Sequence, residues 1–130
     1  MLKRIKKLLE HNAFILAIIL TLIIAFLSLS VAPKINLGIN IKSSDKYLHA
    51  IAYFSLSLVW FFALREKFKY KPFKILLIFF LIFYGIILEV LQGKLTSYRT
   101  ADFYDILANT IGIAIATVFF KKFLNWFNSI

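Results

Sequence analysis

No cysteine occurs in the 130 residues, which rules out a disulfide framework and leaves every compartment open. Carboxylates are scarce, six against sixteen lysines and arginines. There is no Gly-rich phosphate loop, no Ser-His-Asp arrangement and no H-E-x-x-H pair. The short motifs that would point to nucleotide binding, acyl transfer or a zinc peptidase are therefore missing. Internal repeats and low-complexity tracts are absent too, and the spacers are short, so a single domain over residues 1–130 is expected.

What is abundant is apolar sequence. Hydrophobic residues make up 62% of the chain and the mean hydropathy is +0.85, against about 45–50% apolar in a soluble domain. Four stretches stand out, 13–32, 47–64, 73–91 and 103–120. Each approaches the roughly 20 residues that a helix needs to cross about 30 Å of hydrocarbon. Backbone groups find no water there, so helices are the expected solution. The expected fold is all-α, a polytopic membrane protein with four transmembrane helices.

The basic charge is distributed unevenly. Lys3, Arg4, Lys6 and Lys7, then Arg65, Lys67, Lys69, Lys71 and Lys74, then Lys121 and Lys122 occupy alternate connections, with only Glu10 and Glu66 beside them. The opposite connections hold Lys34, Lys42, Lys46, Lys94 and Arg99 against Asp45, Glu89, Asp102 and Asp105. The Lys/Arg bias places both termini in the cytoplasm, and anionic lipid at the inner leaflet complements it. A nucleic-acid partner is not needed to explain the charge. Residues 1–32 have the basic start of a signal peptide and small residues at Ser30-Val31-Ala32. The apolar run is longer than a cleaved signal's 7–15 residues, and Pro33 would follow the cut, so a retained span is expected.

Four of the six carboxylates thus fall on the extracytoplasmic side. Asp45 and His49, four residues apart, share one face at the start of the second helix, as Asp105 and Asn109 do in the fourth. At about 1.5 Å per residue, His49, Glu89 and Asp105 reach nearly the same level just inside the interface. Glu89 follows fourteen uncharged residues, Ile75 to Leu88, near a helix C-terminus where the dipole repels an anion. It should be paired or neutral, with His49, Arg99 or Lys46 as partners, and intramembrane carboxylates are functional by default.

Plainer roles compete for several of these residues. Ser44 or Asp45 makes a natural helix N-cap, and Asp102 with Asp105 resembles a capping box with a short third member. Lys46 would snorkel to the headgroups, and His49 would serve as a hydrogen-bonded packing residue. Ala108, Gly112 and Ala116 form a small-xxx-small stripe that lets helices approach, and Gly85 lies one turn before Glu89.

The order Asp45-Lys46-x-x-His49, Gly85 with Glu89-x-x-Gln92, and Arg99-x-x-Asp102-x-x-Asp105-x-x-x-Asn109-x-x-Gly112 resembles the VanZ-like family of small bacterial membrane proteins. The resemblance covers 45–112 closely and extends in character to about residue 120. It implies that these are the family's signature positions, that the chain resides in a bacterial cell membrane, and that it is linked to the cell envelope and to tolerance of glycopeptides such as teicoplanin.

Three functions remain open at this level. The first is an extracytoplasmic site that recognises or modifies an envelope amphiphile, such as a lipid-linked or lipoglycopeptide ligand. His49, Glu89 and Asp105 would form an acid/base cluster, and Asp45, Lys46, Gln92, Arg99, Asp102 and Asn109 would bind the ligand. Lys46, Lys94 and Arg99 could take its phosphate or carboxylate groups. No cofactor is required. In a variant, His49, Glu89 and Asp105 hold a divalent metal, for which nitrogen and oxygen ligands suit zinc or manganese. The second is an accessory protein whose polar cluster locks helix packing without catalysis. The third is a small proton-coupled transporter.

Overall fold

The computed structural model describes residues 1–29, 41–95 and 102–130, the side chains of 41–45 excepted. Its elements are α1 (Leu2–Leu29), α2 (Ile41–Ala63), a single turn α3 (Arg65–Phe68), α4 (Lys71–Leu95) and α5 (Phe103–Asn128). The described residues contain no strand. Four of the helices, all but α3, are long and apolar enough to cross a membrane.

The helices outrun the apolar stretches. Lysine is nearly as good a helix former as leucine, so the basic residues 3–7 and 121–122 continue α1 and α5 instead of forming tails. α2 starts at Ile41. Ser44 and Asp45 therefore lie inside the helix, and neither is its N-cap. Glu89 lies six residues before the end of α4, about three residues deeper than expected with Gln92 closing the helix. Pro72 sits in the first turn of α4, where its missing N–H costs no helical bond.

Around the bundle the neighbours run α1, α2, α5, α4 and back to α1, with α2 on α5 the most extensive interface. The stripe Ala108, Gly112 and Ala116 is buried at that interface. A β-carbon on Gly112 would clash with the Ala50 carbonyl oxygen and lie 3.0 Å from the Phe54 nitrogen. The two backbones thus touch, and only glycine permits it.

One end of the bundle is aromatic. Phe61 lies 4.4 Å from Phe68 between ring centroids, Phe68 lies 4.9 Å from Phe120, and Phe62 lies 4.7 Å from Phe127. α3 exists to deliver Phe68 into this cluster. Cations close it over: Arg65 stands 4.6 Å from the Phe62 ring, Lys74 5.2 Å from Phe68 and Lys6 5.5 Å from Phe127. Such pairs contribute about 0.5–1 kcal/mol each where exposed.

α1 is joined to its neighbours through Thr21. The Trp60 indole N–H donates to Thr21 Oγ1 at 2.9 Å, and the Tyr84 hydroxyl donates to the Thr21 carbonyl at 2.6 Å. α1 buries only Ala13, Ala17 and Ile24 of its length, so these bonds from α2 and α4 fix its register.

Candidate functional site

At the end opposite the aromatic cluster, polar side chains from α2, α4 and α5 meet. His49, Glu89 and Asp105 each offer a nitrogen or oxygen atom, and the three atoms lie within 4.8 Å of one another. Glu89 is 2% exposed, Asp105 6% and Asn109 3%. A buried carboxylate must be satisfied by its surroundings.

Asp102 is the N-cap of α5, its Oδ1 accepting from the Tyr104 N–H at 2.9 Å. In a capping box the third helical residue would return the favour by accepting from the cap's own N–H. Asp105 holds that position but is turned elsewhere. Glu89 Oε1, from α4, accepts the Asp102 N–H at 2.7 Å instead. The box is thus completed across two helices, and a carboxylate near the positive end of the α5 dipole is favoured there.

Asp105 faces α2. Its Oδ1 is 3.7 Å from the Lys46 ammonium and its Oδ2 is 3.7 Å from His49 Nε2. Lys46 also bridges to Asp102 Oδ2 at 3.3 Å and lies 5.6 Å from the Tyr104 ring centre. The expected snorkelling lysine is therefore engaged with two carboxylates. The other imidazole nitrogen, His49 Nδ1, is 3.0 Å from Asn109 Oδ1. An amide oxygen only accepts, so Nδ1 carries the hydrogen and Nε2 is turned toward Asp105.

Gly85 makes room for this pairing. A β-carbon there would stand 3.1 Å from Asn109 Nδ2 and 3.2 Å from the Tyr53 ring. Tyr53, one turn beyond His49 on α2, is 2% exposed, and its hydroxyl has no hydrogen-bond partner among the described residues.

Gln92 points another way. Its amide donates to the Ser28 carbonyl of α1 at 2.7 Å. This side chain ties α4 to the end of α1. Arg99 and the side chain of Asp45 lie outside the described residues. Sequence spacing could not reveal the Glu89 cap, the Lys46 pairing or Tyr53, since each depends on which helix stands opposite.

The Asp102 carboxyl is 40% exposed and is held below the usual aspartate range by the Tyr104 N–H first, with Lys46 adding to it. A depressed native value means stabilisation that is complete above the ordinary 3.8 and lost as pH falls through the lower native value. Asp102→Asn keeps a competent cap and removes the charge. Its melting temperature should fall below the wild type's at pH 6, and the gap should close as the pH drops beneath the ordinary aspartate value.

Comparison with known proteins adds one relative. An uncharacterized protein of the fission yeast Schizosaccharomyces pombe is 35% identical over 104 residues, which cover 78% of this chain and 59% of the yeast protein. The chain thus spans about three fifths of that relative's length. No family model and no solved structure matches the chain, so the VanZ-like resemblance rests on the quoted residues alone.

Proposed function

We propose that the chain is an integral membrane protein with both termini in the cytoplasm, and that its extracytoplasmic site receives the head group of an envelope amphiphile. One observation carries the reading. Polar side chains of three helices converge at the weakly charged end of a bundle whose flanks are otherwise apolar. Outward-facing Val118 and Phe26, 84% and 72% exposed, suit a lipid surround. The strongly basic opposite end suits the cytoplasmic face.

The described groups also support a reading of the head group's charge. Lys46 is matched against Asp102 and Asp105, which leaves it little to offer a phosphate by itself. Among the described residues Glu89, Asp102 and Asp105 surround Lys46 and His49, a setting that suits an occupant with a cationic group. The VanZ-like resemblance implies a bacterial cell membrane and glycopeptide tolerance. A relative in a fungus favours instead a ligand drawn from membrane lipids, which both kinds of organism possess.

A second reading is favoured by the Glu89–Asp102 and Gln92–Ser28 bonds: a noncatalytic protein in which the cluster locks the helices. The two separate experimentally. Wild type, His49→Ala and Glu89→Gln are extracted from membranes, and native mass spectra are recorded with phosphatidylethanolamine and phosphatidylglycerol added. Normal membrane abundance with loss of a retained lipid in both variants supports the head-group site. Loss of abundance in Glu89→Ala, which removes the acceptor of the Asp102 N–H, with lipid retention unchanged in His49→Ala and Glu89→Gln supports the lock.

A further inference from the structure

We infer that His49 Nε2, Asp105 Oδ2 and a Glu89 carboxylate oxygen form a divalent-metal site, best suited to zinc, with Asn109 orienting the histidine. The inference rests on the head-group reading for its purpose, and on independent geometry for its existence.

The first support is the donor set. One imidazole nitrogen and two carboxylates within 4.8 Å need only small side-chain rotations to close on an ion. Zinc bonds of about 2.0–2.2 Å place neighbouring ligand atoms roughly 3.4 Å apart in a tetrahedron. Two carboxylates balance the dication's charge. Mixed nitrogen and oxygen donors favour zinc or manganese, whereas magnesium and calcium prefer oxygen alone. Three protein ligands leave the fourth position for water or a ligand oxygen.

The second support lies outside the three ligands. Metal-binding histidines nearly always donate their other ring N–H to a fixed acceptor, which sets the tautomer and aims the free nitrogen. The 3.0 Å contact of His49 Nδ1 with Asn109 Oδ1 does this, and Gly85 keeps the space Asn109 needs. Lys46 approaches Asp105 at Oδ1 and leaves Oδ2 on the histidine side.

The third support is Tyr53. Its hydroxyl is buried without a hydrogen-bond partner among the described residues, a condition that costs stability unless an acceptor is supplied. Its ring lies 6.3 Å from that of Tyr84 between centroids. Tyr84 donates its own proton to Thr21. A water on the metal, or a ligating carboxylate drawn toward it, would give the buried Tyr53 O–H the acceptor it lacks among the described residues. The metal supplies the positive charge that the acidic cluster lacks, and its open position suits a phosphate oxygen of the head group.

The test uses full-length protein in detergent, stripped with a chelator and titrated with Zn²⁺ or Mn²⁺ alone. Bound metal is counted after gel filtration, and Co²⁺ is substituted to read its visible absorption. One zinc per chain is expected, with a Co²⁺ band that is lost in His49→Gln and Glu89→Gln. Asn109→Ala should weaken metal affinity about 10–100-fold, as loss of an orienting partner does elsewhere. Zinc that binds His49→Gln or Asn109→Ala as tightly as wild type overturns the site, as does metal far below one per chain. Should Glu89→Gln not accumulate, those two variants decide by the same criterion. Absent metal with lipid retention still dependent on Glu89 removes the metal and leaves the head-group reading. Stoichiometric metal with no dependent lipid removes the head-group reading and leaves the metal.

Discussion

Gly112→Ala is expected to cause a much larger loss of stability than the same methyl addition at Gly85. The new β-carbon would collide with the Ala50 carbonyl oxygen and press on the Phe54 nitrogen and the Ala50 carbonyl carbon. All three atoms are backbone, so no rotamer change relieves the clash and α2 must move away from α5. Overpacking typically costs about 1–3 kcal/mol, occasionally more, and the upper end applies where helix backbones collide. Displacement also separates the two halves of the site. Asn109 sits three residues from Gly112, and its bond to His49 crosses this interface. Gly85→Ala is the matched control. Its β-carbon would meet only the Asn109 amide and the Tyr53 ring, at 3.1 and 3.2 Å, and side chains can yield by a few tenths of an ångström. Thermal unfolding followed by tryptophan fluorescence should show a clearly larger drop for Gly112→Ala. Equal drops would mean that α2 and α5 are not in backbone contact.

The same interface shows what the sequence makes legible. The four-residue recurrence of Ala108, Gly112 and Ala116 identifies a face for close packing without identifying the helix that packs on it. Helical rise likewise places His49, Glu89 and Asp105 at one level, and the structure does bring these three side chains together. Which atoms pair could not be read, because hydrogen bonds across helices depend on rotation and neighbour order. Gln92 illustrates this: three residues from Glu89, it shares the same helical face in projection, yet its amide serves α1. Helix limits were obscured for another reason. Hydropathy marks where a segment is apolar, while lysine and serine extend a helix without being apolar. α1, α2 and α5 all run past their apolar stretches on that account. α3 left no periodic signal, since four residues are too few to show one, and its purpose appears only when Phe68 is seen among Phe61 and Phe120.

Glu89 carries the second large effect, and two substitutions separate its duties. Glu89→Ala removes the acceptor of the Asp102 N–H, a bond of 2.7 Å made by a side chain that is only 2% exposed. The α5 N-terminus then loses half of its capping arrangement, and a cavity opens beside Asp105 and Tyr53. Leaving a donor unsatisfied costs about 1–3 kcal/mol, and truncation of the buried chain adds to it. Membrane abundance and melting temperature should both fall. Glu89→Gln keeps an oxygen at the same reach, so the Asp102 N–H retains its acceptor while the negative charge beside Asp105 disappears. That variant should melt near the wild type, and slow amide exchange should persist at the start of α5. What it loses is charge, and with it the lipid retention and metal binding assigned to the cluster. A site and a lock therefore make opposite demands on one residue. Glu89→Gln melting as low as Glu89→Ala would show that the carboxylate's charge, rather than its acceptor oxygen, holds α4 to α5. Glu89→Gln that is stable and still retains lipid and zinc would leave Glu89 a cap alone.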